Sequence, residues 1–251
     1  MRTQRLEIIP IEGMPLVKEL DDLPELILTI LQTNTQEPKP GDILIVSHSI
    51  VSVAEGRAFD IEAMDISDRA RMIAEEIGQE PAKVELALRE ADKIIRESPV
   101  LITQTRHGII TDYSGVDSSN APSGKFIALP EDPDDSANKL HVILSKAFGF
   151  HLPVIICDTQ GRPWRKGATN LAIGIAGISP FTDNKGRKDL YGRELQSSLV
   201  CLADEVAAAA ELVMGQADEG IPIVLIRGIE YEQGNGSASD ILRSRDKNLF
   251  L

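Results

Sequence analysis

VIICDTQGRPWRK, residues 154–166, is the stretch on which the fold turns. Val154, Ile155, Ile156 and Cys157 are four consecutive apolar residues, so neither side faces water and a strand buried on both faces is predicted. Asp158 then stands at the carboxyl end of that strand. Ligands bind at that edge in open α/β sheets, and Asp158 with Thr159 offers hard oxygens to a magnesium-like ion. Asp-Thr-Gln-Gly is equally competent as an Asx turn with no ligand at all. The charge that follows favours a ligand.

Between residues 162 and 193 stand seven bases, Arg162, Arg165, Lys166, Lys185, Arg187, Lys188 and Arg193, against two acids, Asp183 and Asp189. The whole chain has a formal net charge of -13. A positive, glycine-rich island in an acidic protein suggests a pocket for small anions bearing phosphates or carboxylates. Pairing with acids elsewhere is the plain alternative, since the chain has 39 of them. The acidic balance argues against nucleic acid and against anionic membranes as partners.

The 251 residues, 42% hydrophobic and 4% aromatic, have an ordinary globular composition. A chain of this length buries roughly 70–75% of its extended surface and needs no disulfide or metal staple. Cys157 lies in the buried strand and Cys201 in a helical pattern, the usage of small hydrophobes in a reducing compartment, and a cytoplasmic protein is expected. Residues 1–13 carry two arginines but no apolar h-region, so no signal peptide is expected. No apolar run approaches membrane-spanning length.

Outward from the central stretch, residues 6–11, 41–46, 168–178 and 221–229 read as further strands, and residues 23–31 and 136–148 as helices. Gly174 and Gly177 suggest that another backbone comes close to the strand at 168–178. Ser47, His48 and Ser49 close the second strand on an edge or turn, where a lone histidine is as readily a satisfied structural one. Residues 66–97 read as two helices, the second opening at Pro81 and carrying Val84, Leu86, Leu88, Ala91 and Ile94. Residues 100–103 and 108–111 form a hairpin, so the sheet is not purely parallel. Asp117 and Asn120 follow in a loop of turn-forming residues. Residues 130–135, PEDPDD, suggest a linker. Leu195, Leu199, Leu202, Val206, Ala209 and Val213 follow one face of a helix over 195–214. There is no GxxxxGK[ST] loop, HExxH, paired CxxC or GxSxG elbow, and Gly234-Asn235-Gly236 comes too late for a βαβ unit.

Six stretches, PIEGMPLVKELDDL, GDILIVSHSIVSVAEGR, GVDSSN, DTQGRPWRKGATNLAIGIAGI, GRKDLYGRELQ and ADEVAAAAELVMGQADEGIP, occur in this order and span nearly the whole chain. Together they resemble the coenzyme F420 gamma-glutamyl ligases of the stand-alone archaeal type, which extend a deazaflavin coenzyme with L-glutamate using GTP. The resemblance implies a family-specific mixed α/β fold, distinct from P-loop, Rossmann and ATP-grasp folds, assembled as an intertwined homodimer. It implies one ligase unit over residues 1–251, built as two interleaved subdomains, without a fused flavin-enzyme domain.

It also implies GTP, two divalent ions (magnesium or manganese) and a monovalent cation such as potassium. Carried over by motif, the metal ligands are Asp117, Asp158, Thr159 and Gln216; the family also uses Glu at the last position. GTP contacts fall at Met14, Pro15, Leu16 and Val17, at His48 and Ser49, and at Asn120. A further set runs along Met214, Gly215, Gln216, Ala217, Asp218, Glu219, Gly220 and Ile221. Val53 stands where members of the family carry a lysine, and a base from the island could take over its phosphate contact.

On this resemblance F420-0, F420-1, L-glutamate and GTP are the partners, and F420-1 and F420-2 the products of an acyl-phosphate route. Arg162, Arg165, Lys166, Arg187, Lys188 and Arg193 would hold the carboxylates and phosphodiester of these anions. The base for the incoming ammonium stays open among His48, His151 and several carboxylates. A metal-dependent phosphohydrolase and a non-catalytic module binding an anionic cofactor are the competing functions.

Overall fold

The computed structural model describes residues 5–249, so residues 1–4 of the segment expected to carry no signal peptide lie outside the described residues. In chain order come β1 (Glu7–Pro10), α1 (Leu23–Thr33), β2 (Ile43–Ser47), α2 (His48–Ala54) and β3 (Ala58–Asp60). Next are α3 (Asp68–Ile77), α4 (Pro81–Glu90), β4 (Ala91–Arg96), β5 (Ile102–Thr105), β6 (Ile110–Asp112) and β7 (Lys125–Ile127). Then follow α5 (Pro133–Phe148), β8 (Val154–Arg162), β9 (Arg165–Ala176), β10 (Phe181–Asp183), β11 (Leu199–Cys201), α6 (Leu202–Met214) and β12 (Ile223–Arg227).

All five apolar runs expected to be core strands meet in one sheet of order β1-β12-β2-β8-β9. Only β2 and β8 run parallel; the other neighbours are antiparallel. Because successive side chains alternate in direction, each strand feeds two cores. Leu44, Val46, Val154, Ile156, Ile223 and Leu225 pack with α1 and α5 on one face. Ile43, Ile45, Ile155, Cys157, Val224 and Ile226 pack with α6 on the other. That two-sided burial is why these strands are continuously apolar. A third core joins α3 and α4 to Leu101, Tyr113, Val116 and Phe126, beside the small sheets β3-β7 and β4-β5-β6. No helix of the described residues is long and apolar enough to cross a membrane.

Four expectations are corrected. The central strand does not stop at Cys157; it runs to Arg162, with Asp158 paired to Leu171 and Thr159 to Asn170. Ladder hydrogen bonds to β9 outcompete the Asx turn. The second helix of 66–97 ends at Glu90, and Ile94 lies in β4, paired with Thr103; Ile94-Ile95 is β-branched and suits a pleat. The helix of 195–214 begins only at Leu202, because Leu199–Cys201 pairs with Phe181–Asp183.

Residues 130–135 are not a linker: they lead into α5 through its N-cap and first turn. Asp132 caps it, its Oδ1 accepting from Asp135 N at 3.0 Å, with Pro133 in the first turn and Asp134 and Asp135 facing the positive end of the helix dipole. Asp132→Ala should cost about 1 kcal/mol of stability in urea unfolding; an unchanged midpoint would refute the cap's contribution.

Candidate functional site

β2 and β8 stay paired through Ser47 and Cys157, after which β2 turns into α2 and β8 continues. That divergence opens a cleft at the carboxyl end of β2, where the chain places Asp158 and His48. His48, the first residue of α2, brings Nε2 to 3.2 Å from Asp158 Oδ1. Its Nδ1 faces Ser52 Oγ at 3.4 Å. Gln160, two residues along β8, donates through Nε2 to Asp158 Oδ2 at 3.4 Å. His48 and Asp158 are each 8% exposed. A carboxylate this buried requires such partners.

A second web ties the cleft together. Thr159 Oγ1 donates to Asn170 Oδ1 across the β8–β9 pair at 2.7 Å. Gln216, just beyond α6, donates through Nε2 to Thr159 Oγ1 at 2.8 Å and also to Glu211 Oε1. The other Glu211 oxygen, Oε2, is buried with no hydrogen-bond partner; the Asn170 amide lies near but is turned to the Met214 sulfur at 3.7 Å. Burial pushes the Glu211 carboxyl above its ordinary range, hydrogen bonding from Gln216 and, more weakly, Asn170 opposes that, and repulsion from Glu219 and Asp158 adds to it. Gly215 ends α6 at φ +68°, and a Cβ there would fall onto the Glu219 carboxylate, whose Oε2 accepts from Ala217 N at 2.8 Å.

Asp117 enters from the loop before β7, fixed by a bridge to Ile127. Burial pushes its carboxyl up, but bonds from the Ser119 hydroxyl and the Ser119 and Ser118 amides outweigh this, and with nearby Lys83 they hold it below its ordinary value. Asp117 is therefore ionised at neutral pH. Lys83 projects from α4, its Nζ 4.8 Å from the Tyr113 ring centre.

Most of these groups line one cleft of about 910 Å³, enough for a nucleotide-sized ligand. Asp117, Asp158, Thr159 and Gln216 all line it, and so do His48, Ser49, Asn120 and residues 14–17. Of residues 214–221 all but Asp218 do so. The basic island does not. Arg162, Arg165 and Lys166 stand exposed at the far end of the β8–β9 hairpin, and Arg187, Lys188 and Arg193 on the exposed loop before β11. Trp164 travels out with the hairpin and is 79% exposed. Four strand residues beyond Asp158 already span about 13 Å.

Lys83, Asn170 and Glu211 also line the cleft and escaped sequence reasoning. For Glu211 a signal existed: it falls four residues after Ala207, on the side of α6 that buries Ala203, Ala207, Ala210 and Met214. An acid at that spacing is out of place in a purely structural face. Burial pushes the Cys157 thiol far up and the Cys201 thiol to about 12, so neither serves as a nucleophile.

The donor set of two aspartates, a hydroxyl, an amide and the unsatisfied Glu211 oxygen suits a hard divalent cation. Among the described residues no three His, Cys, Asp or Glu side chains form a ready-made cage. Magnesium commonly binds in this way, through one or two carboxylates completed by phosphate oxygens and water.

A family model described as F420-0:Gamma-glutamyl ligase matches residues 13–228. A protein of Methanothermobacter thermautotrophicus named coenzyme F420:L-glutamate ligase is 45% identical over 248 residues, covering 98% of each chain. Proteins of the same name from Methanopyrus kandleri and Archaeoglobus fulgidus are 44% and 40% identical, covering 99% and 98% of this chain and 98% and 96% of their own.

Proposed function

The chain belongs to the F420-0:gamma-glutamyl ligase family, and from that premise we propose that it joins L-glutamate to coenzyme F420-0 at the expense of GTP. A carboxylate is a poor electrophile and must be activated before an amine can displace anything from it. The terminal carboxylate oxygen of F420-0 attacks the γ-phosphorus of GTP. The bond from that phosphorus to the bridging oxygen breaks, and GDP leaves with the electron pair. The amine of glutamate then attacks the acyl carbon, phosphate departs with the carbon–oxygen electron pair, and the surplus ammonium proton passes to a base. A second round on F420-1, at the γ-carboxylate of the added residue, yields F420-2.

The support is that residues from segments as far apart as 14–17, 117–120, 158–159 and 214–221 line one nucleotide-sized cleft. Asp117, Asp158, Thr159 and Gln216 would hold two divalent ions, magnesium or manganese, which supply neutralisation of phosphate charge during the in-line transfer. A monovalent ion such as potassium belongs to the same proposal. Val53 is buried and offers the phosphates nothing. Lys83 takes that role, a half-buried base carried on a helix beside Asp117. Losing one charge-assisted phosphate contact costs about 1.5–3 kcal/mol, so Lys83→Met should raise the KM for GTP at least about tenfold and change kcat less. An unaltered KM would remove Lys83 from the phosphate site.

The island would act in a homodimer. Its bases share exposed arms with Trp164, Leu190 and Tyr191, the last two 95% and 92% exposed, and such arms are suited to reach over a partner protomer. The deciding experiment is mass spectrometry of F420-0 incubated with the protein, GTP, manganese and L-glutamate, beside mixtures lacking each component. Product heavier by one or two glutamyl residues, formed only in the complete mixture, is expected. GTP loss without glutamyl product would instead identify a phosphohydrolase.

A further inference from the structure

Glu211 presents a buried carboxylate oxygen that nothing else in the cleft explains. Oε1 is used by the Gln216 amide, whereas Oε2 is sealed from solvent without a well-formed hydrogen bond, the Asn170 amide being the neighbouring donor. Asp158 and Glu219 both act on it, and both are negative. Three acids thus converge on one wall. The lysine of the cleft with a described ion pair, Lys125, is 3.9 Å from Glu19 instead. A carboxyl oxygen buried among like charges is completed by a proton or, when ionised, by a cation.

We propose that Glu211 is a ligand of the divalent ion at Asp158, Thr159 and Gln216, contributing Oε2 while Oε1 holds the Gln216 amide in place. The hydrogen-bond web of the cleft favours this arrangement. Gln216 Nε2 is held by both Glu211 and Thr159, which leaves its Oε1 as the amide atom available to a metal. Two carboxylates and two neutral oxygens, completed by phosphate or water, are a composition that a hard six-coordinate ion accepts. The inference rests on the cleft being a divalent-ion site, and the test separates the two.

Manganese alone is the probe, added to the intact protein without nucleotide and followed by the electron paramagnetic resonance of the free ion. Glu211→Gln is near-isosteric and keeps an acceptor for Gln216. It should weaken manganese binding at least about tenfold, as loss of a metal-supporting group does, and remove most of the manganese-induced rise in melting temperature. In EDTA it should melt at or above the wild-type temperature, since a buried repulsion is gone. Exchanging the pair, Glu211→Gln with Gln216→Glu, returns one carboxylate to the same wall and should recover manganese binding, which a merely structural role would not produce. Glu211→Gln binding manganese as tightly as wild type would overturn this ligand while leaving the ion site standing. Wild-type protein that takes up no manganese would overturn the ion site and this ligand with it.

Discussion

Asp158→Asn should leave a folded protein whose glutamylation of F420-0 is down at least about 100-fold, beyond the range seen when only a group supporting a metal ligand is lost. Asp158 is the carboxylate at which β8 and α2 meet, 3.2 Å from His48 Nε2 and 3.4 Å from Gln160 Nε2. Asparagine retains one oxygen acceptor and nearly the same volume, so the sheet and the α2 terminus keep their packing. What disappears is the charge that a divalent ion requires. The change also lifts the repulsion that Asp158 exerts on Glu211, so the melting temperature without metal should hold or rise. Glutamyl product formed by the variant at near the wild-type rate would exclude Asp158 as a metal ligand.

Gly174→Ala should have the largest effect on stability, about 3 kcal/mol, at the upper end of ordinary overpacking. A Cβ at residue 174 would lie 2.2 Å from the Pro133 carbonyl oxygen and 2.5 Å from its carbon. Those are backbone atoms at the capped start of α5, and they cannot swing aside as a side-chain tip can. The same turn is clamped by Asp134, whose Oδ1 accepts from Ile175 N and Ala238 N, both at 2.8 Å. Relief therefore requires lifting α5 from β9. For a chain of this size about 3 kcal/mol corresponds to a fall of about 6–12 °C in melting temperature. Differential scanning calorimetry checks it, and a loss under about 1 kcal/mol would show that α5 is free to shift.

The sequence by itself determined the five core strands and the close approach at Gly174. Runs such as Ile43 to Val46 and Val154 to Cys157 have no polar side, and a glycine between Ile173 and Ile175 marks where a Cβ has no room. It determined the family too, through motifs spread over residues 10–222, in agreement with the family model matched over residues 13–228. It misjudged the segments whose periodicity fits two states. Leu195, Leu199 and Leu202 have helical spacing, yet strand pairing with Phe181–Asp183 holds the helix back to Leu202. PEDPDD has the composition of a linker, yet a cap and an N-terminal proline make it the start of α5.

Only the tertiary structure decided which charged residues share the cleft. Arg162, Arg165 and Lys166 follow Asp158 within eight positions, but an extended strand carries neighbours in sequence apart in space, and they end exposed at the hairpin's far end. Lys83 and Glu211 are 128 positions apart and line the same cleft, because α4 and the end of α6 both reach it. Sequence periodicity records which side of an element faces the core; which elements face one another is set by sheet order and crossovers, and that is where the site is made.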